Sequence, residues 1–311
     1  MTSRTQNAEE IVSRVRNTFE SGKTKPIQFR IKQLQAMKRM LEENKDEIVK
    51  ALEQDLHKNK YEALLTEVNF IINDIKMILM NLHDWMKPVK PSKDFANILD
   101  SVYILSDPYG VALVMGAWNY PLQLTLSPVC GALAGEIPSE HAPAVAKLIA
   151  DYVPEYLDED AVQVYLGGIP ETAELLKQRF DYIFFTGSTA VGRIVHAAAN
   201  KYLTPTTLEL GGKSPVYLDS TADVEVAAKR ILWGKFINAG QTCVAPDYLL
   251  CSKEVQSKFI PVAKKIIKQF FGDEPKASAD FGRIINDANF ARISGLLKGC
   301  TVAVGGTDGR L

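Results

Sequence analysis

The chain has 311 residues, 46% of them apolar and 23% charged, which matches a soluble globular protein long enough for two domains. Its 36 basic and 37 acidic side chains nearly cancel, which excludes the electrostatic footprint of a nucleic-acid binder and a basic tail for anionic lipid. Four widely spaced cysteines without a C-x-x-C pair fit a reducing compartment, and no apolar leader or membrane-length run is visible, so the expectation is a soluble, cytoplasmic protein with no membrane segment.

From Ala8 to Trp85 apolar residues recur at helical spacing, as in Ile31, Leu34, Met37 and Leu41 and again in Leu64, Val68, Ile71 and Ile75, which predicts a helical N-terminal layer. Pro88 and Pro91 end it, since proline cannot continue a helix interior. The runs "SVYIL" and "VALVM" flank the turn residues of "SDPYG" and predict a β-hairpin arm over about 98–116, a candidate surface for pairing subunits. Beyond Gly116, "AVQVYLGG", "YIFFTG" and "TTLELGG" read as strands alternating with helices, the pattern of βαβ units in a mostly parallel, doubly wound sheet. A helix from Val224 to about Gly234, the strand "YLLC", a helix from Val255 to Phe270 and a last strand "TVAVGG" predict a second α/β unit. The expected organisation is α/β throughout: N-terminal helices and a doubly wound parallel sheet over 1–207, then a second α/β unit over 208–311.

Four stretches offer chemistry. In "FFTGSTAVG" a strand gives way near Thr189 to a helix, whose exposed N–H groups suit a phosphate, although Ser188 or Thr189 could equally be a helix cap. In "GAWNYPL" the Asn119 amide could donate to a developing oxyanion, or Asn119 could simply turn the chain before Pro121. "LELGGKSP" ends a strand with Glu209, a general base if it faces a cleft and an ordinary surface carboxylate if it does not. In "INAGQTCVAPD" Cys243 is either a nucleophile or the small buried apolar group that a lone thiol ordinarily is. Cys130 and Cys251 fit packing, and His57, His83, His141 and His196 belong to no metal or triad motif and are read as structural.

"GAWNYP", "FTGSTAVG", "LELGGKSP" and "GQTCVAPD", in that order, resemble the aldehyde dehydrogenase superfamily, and "LKQRFDYIFFTG" and "APDYLLC" are similar to its class 3 branch of fatty and aromatic aldehyde dehydrogenases. The resemblance runs from about Ile11 to the end. It implies oxidation of a small-molecule aldehyde, medium or long-chain or aromatic, to a carboxylic acid with NAD or NADP. Cys243 would be the nucleophile, Asn119 and the Cys243 N–H the oxyanion donors, and Glu209 the base that activates water. Gly187, Ser188, Thr189, Ala190, Val191 and Gly192 would lie against the cofactor, and the complete family member would be a homodimer.

The sequence departs from the family pattern at two places. Between Ala134 and Pro138 about eight residues, one strand and its turn, are absent, which places an internal deletion near 134–141 and sets Ile137 where the family has a cofactor-binding lysine. The chain also stops at "GGTDGRL", before the family's nicotinamide-ribose motif, which reads as a C-terminal truncation. Two alternatives follow: a catalytically incompetent form that pairs with or modulates full-length subunits, or a thiol hydrolase acting without hydride transfer.

Overall fold

The computed structural model describes residues 7–132 and 135–306. The N-terminal periodicity becomes α1 (Ala8–Glu20), α2 (Ile27–Glu43), α3 (Lys45–Leu56), the short α4 (Lys60–Ala63) and α5 (Asn69–Trp85). Asn7 starts the first of these by accepting the N–H groups of Glu9 and Glu10 on its side-chain oxygen. Between α4 and α5 the helix continues through a π turn, Leu64–Val68, which carries Glu67. After an extended, largely exposed segment come β1 (Ala112–Met115), α6 (Gln123–Ala132), β2 (Gly135–Ile137), α7 (Pro143–Tyr156) and α8 (Ile169–Leu175). The chain goes on through β3 (Tyr182–Thr186), α9 (Thr189–Asn200), β4 (Thr206–Glu209), β5 (Ser214–Leu218), α10 (Val224–Phe236), β6 (Pro246–Cys251), α11 (Lys253–Phe271) and α12 (Asp287–Leu296).

The first four strands form one parallel sheet in the order β2-β1-β3-β4. Of its two central strands β1 is buried on both faces, and β3 is buried on one face and half-buried on the other. Val114 packs with α2, α3, α5, α6 and α7 in the larger core, whereas Leu113, Met115, Ile183 and Phe185 pack with α1, α8 and α9 on the opposite side. Both faces covered by helices is the doubly wound arrangement that the alternation of strands and helices predicts. A second parallel pair, β5 and β6, carries α10 and α11, which share a small core around Ala228, Leu232, Ala263 and Ile266. Among the described residues no helix is long and apolar enough to cross a membrane.

The predicted hairpin over 98–116 is not formed. "VALVM" supplies β1, buried at every position, because an unbroken apolar run suits a central parallel strand better than a half-exposed hairpin. Ile104 instead makes an antiparallel bridge with Val89. "AVQVYLGG" contributes a single bridge residue, Val164, in place of a full strand. Ala134, where the internal deletion is expected to begin, lies with Leu133 outside the described residues, but Gly135–Ile137 do take up a parallel ladder with β1. The last expected strand, "TVAVGG", is absent: 301–306 is exposed, and with no neighbouring strand its backbone has no ladder to join. The other expected elements are present.

One buried ion pair joins the helical layer to the sheet. Lys58 Nζ lies 2.6 Å from Glu67 Oε1, with the two side chains 1% and 0% exposed. The second carboxylate oxygen, Oε2, accepts the N–H groups of Leu122 and Gln123 at 2.9 and 3.0 Å, where α6 begins. Removing one partner of such a pair strands a buried charge. Lys58→Met is therefore expected to lower the unfolding free energy by about 3–5 kcal/mol, read as a fall in the urea midpoint at unchanged slope.

Candidate active site

Cys243 lies in an exposed turn between α10 and β6. The approach to it is unusual: Asn238, Ala239 and Gly240 all have positive φ, at 54°, 53° and 78°. For the two residues with a Cβ this left-handed conformation costs on the order of 1–2 kcal/mol each, so neighbouring bonds must hold it. Glu62 Oε1 accepts the Asn238 N–H at 2.7 Å, and burial pushes that carboxyl above its ordinary range while Lys58 and the N–H bond pull the other way. The Gln241 side chain is engaged at both ends. Its Nε2 donates to Asn238 O at 3.0 Å and Arg283 O at 2.9 Å, and its Oε1 accepts from Ile285 N–H at 3.0 Å.

Asn119 reaches this loop from the segment after β1. Its Nδ2 donates to Gln241 O at 2.9 Å, two residues before the thiol, which leaves the second amide hydrogen for another acceptor. The next residue repeats the tie: the Tyr120 hydroxyl is 2.7 Å from Thr242 Oγ1, and burial above all pushes its pKa up to about 12, so it stays protonated. Asn119 is thus more than a turn residue before proline.

Glu209 ends β4, exposed, and its carbonyl accepts the Gly187 N–H at 3.0 Å. The segment it begins then runs against the thiol. A Cβ on Gly212 would stand 2.5 Å from the Cys243 carbonyl oxygen, and β5 continues from there alongside β6. The sheet end, the Asn119 turn and the thiol loop therefore meet at one place. The three remaining cysteines sit elsewhere: Cys130 buried, with its Sγ 3.3 Å from the sulfur of Met37, Cys251 half-buried in β6, and Cys300 exposed.

The run Gly187 to Gly192 spans the β3 end and the first turn of α9. Ser188 does cap that helix, accepting the Val191 N–H at 3.3 Å, so the capping role read from sequence is realised. Thr189, Ala190 and Val191 are exposed, while Gly187 packs so closely on Phe185 that a Cβ would come within 2.6 Å of the ring. Just before it, Thr186 Oγ1 is the one buried side-chain polar atom among the described residues with no hydrogen-bond partner. An unpartnered hydroxyl beside a helix N-terminus suits a group rich in phosphate and amide, such as a nicotinamide dinucleotide. At the other end of the sheet Ile137 is buried and apolar and offers such a group no donor. Among the described residues no cluster of three or more His, Cys, Asp or Glu side chains could hold a metal ion.

The sequence reading missed Lys58, Glu62, Glu67, Thr186 and the tether made by Gln241. Only Gln241 carried a local signal, its position two residues before the thiol.

The family model described as the aldehyde dehydrogenase family matches residues 1–310. The chain belongs to the aldehyde dehydrogenase family. It is 48% identical over 303 residues to the dimeric NADP-preferring aldehyde dehydrogenase of Canis lupus familiaris, covering 96% of this chain and 67% of that protein. It is 46% identical to aldehyde dehydrogenase family 3 member A2 of Mus musculus, covering 96% of this chain and 63% of the relative. A solved structure, the substrate-bound state of Staphylococcus aureus AldH, superposes with a TM-score of 0.91 at 40% identity, over 93% of this chain and 64% of that one. This aldehyde dehydrogenase chain thus spans about two thirds of the length of the relatives it matches.

Two adjacent glycines separate close packing from mere flexibility. A Cβ at Gly211 meets nothing within 4 Å, whereas at Gly212 it meets the Cys243 backbone. Gly212→Ala is expected to cost about 1–3 kcal/mol in thermal or urea unfolding, and Gly211→Ala less than about 1 kcal/mol.

Proposed function

We propose that Cys243 is the nucleophile of an aldehyde oxidation. The observation that carries this is the convergence of the Asn119 amide and the Glu209 segment on the Cys243 loop. The Cys243 thiolate forms a bond to the carbonyl carbon of the aldehyde, and the carbonyl oxygen takes up the electron pair as an oxyanion. The free Asn119 N–H and the Cys243 backbone N–H donate to that oxyanion, whose charge is absent from the free aldehyde. Thr186 and the run Gly187 to Gly192 would hold NAD or NADP, which would supply the hydride acceptor needed to carry the adduct to a thioester. Glu209 then accepts a proton from water as the water oxygen attacks the thioester carbon, releasing the carboxylic acid and the thiolate. In this reading residues 1–207 form the cofactor domain and 208–311 contribute to the catalytic domain. The preference for medium or long-chain or aromatic aldehydes rests on likeness to class 3 relatives.

The reading includes a homodimer contact through the segment between Lys87 and Gly110. There Phe95 and Leu99 are 91% and 97% exposed, and Ile98, Ile104 and Leu105 are exposed as well, an apolar run that a solitary chain would leave in water.

A second reading is favoured by β2. With three residues and a buried Ile137, that edge gives the cofactor little to hold, so the chain would bind dinucleotide weakly and act through pairing with other subunits.

Reduced-nicotinamide absorbance separates the two. Under the first reading, purified chain with an aldehyde and NAD or NADP shows steady turnover. Cys243→Ala abolishes it, and Glu209→Gln gives a burst of about one equivalent per site followed by a rate slowed about 100-fold or more. Turnover surviving in Cys243→Ala would remove the thiol from its role, and calorimetric titration showing no dinucleotide binding would leave the second reading. Leu99→Asp is expected to shift the chain from dimer to monomer in light scattering.

A further inference from the structure

The Asn119 amide is fixed at its tip by Gln241 O, but a side chain is aimed only as well as the backbone that carries it. That backbone is gripped on both sides by groups from the π turn and the residues just after α3. Lys58 Nζ, besides its contact with Glu67, donates to Asn119 O at 3.4 Å and sits 4.3 Å from the centroid of the Tyr120 ring. Asn238 Nδ2 donates to the same Asn119 oxygen. On the far side of Pro121, Glu67 Oε2 holds the Leu122 and Gln123 N–H groups. The Lys58–Glu67 bond is short and buried, Glu67 Oε2 accepts the two N–H groups at 2.9 and 3.0 Å, and the bond from Lys58 to Asn119 O is the longest of the set.

We propose that the buried Lys58–Glu67 pair is the positioning element of oxyanion binding: it clamps the backbone from Asn119 to Gln123 so that the free Asn119 N–H points at the carbonyl attacked by Cys243. Neither residue touches substrate, and both act through Asn119. The proposal rests on the reading of Cys243 as nucleophile and Asn119 as oxyanion donor. The Tyr120 hydroxyl, bonded to Thr242, ties the same clamp to the residue before the thiol, so a shift of the turn also shifts the loop it serves. A misplacement on the order of 1 Å suffices to lose about 100-fold in rate.

Two reactions of one thiol test this without any cofactor. Attack on p-nitrophenyl acetate creates an oxyanion and releases nitrophenolate as Cys243 is acetylated. Alkylation by iodoacetamide expels iodide and creates none. In Lys58→Met and Glu67→Gln the acetylation rate is expected to fall about tenfold or more while alkylation stays within about twofold, and Lys58→Arg, which keeps the cation, is expected to retain most of the acetylation rate. Adding Lys58→Met to Asn119→Ala is expected to cost nothing further, since the clamp then has no donor to aim. Glu67→Gln keeps the shape of the side chain and one of its two accepting oxygens, and carries the comparison should Lys58→Met fail to fold by circular dichroism. Acetylation unchanged in folded variants, equal losses in both reactions, or full additivity with Asn119→Ala overturns the proposal. A parent chain that is alkylated at Cys243 but never acetylated overturns instead the reading of Asn119 and Cys243, and the clamp falls with it.

Discussion

Everything around the thiol depends on two opposite charges being kept dry. Lys58 and Glu67 are sealed under the Asn119 turn, and taking an ammonium and a carboxylate out of water costs several kcal/mol per ion unless every lone pair and proton is matched. Here the matching groups are backbone atoms of Asn119, Leu122 and Gln123. The penalty for mismatch is therefore a penalty on any other path for that turn. An apolar pair of similar volume could fill the space, but it would specify no particular path.

The π turn explains how one helix can do this. With hydrogen bonds reaching five residues instead of four, Leu64–Val68 winds more loosely than the α-helix on either side. Glu62, one turn earlier, meets the Asn238 N–H, while Glu67 meets the start of α6. A single helix thereby addresses both the thiol loop and the Asn119 turn. The parallel sheet contributes the third approach, since β4 ends at Glu209 and the next residues lie against Cys243.

Much of this was legible in the sequence because its signals are local. Helical periodicity before Trp85, the apolar runs of β3 and β4, the cap at Ser188 and the thiol motif all sit within a few residues of what they encode. The failures have a common origin in partners distant along the chain. "VALVM" looks like a hairpin arm until its neighbours are known to be Tyr182–Phe185 on one side and Gly135–Ile137 on the other. "TVAVGG" has strand composition and nothing beside it to pair with. Lys58 and Glu67 carry no local sign of burial, because the backbone that meets them belongs to a turn some sixty residues away. Asn238 and Ala239 gave no warning of left-handed backbone, since neither the Asn nor the Ala demands it.

That left-handed stretch has a consequence for how the molecule breathes. Asn238 and Ala239 are held by Glu62 and by Gln241, and Gln241 is bonded to the backbone of Arg283 and Ile285. Arg283 in turn donates its N–H to Leu56 O at 2.9 Å, at the end of α3. The thiol loop, residues 283–285 and the last turn of α3 are thus joined by consecutive hydrogen bonds, although Leu56 and Arg283 lie 227 residues apart. If those contacts open, the strained residues are freed to relax toward ordinary backbone, and the position of the Cys243 thiol changes with them. When they close, the same strain is re-imposed from outside the loop. The placement of Cys243 thus depends on contacts that Gln241 makes 42 residues further along the chain, and any event that loosens 283–285 reaches the thiol without touching it.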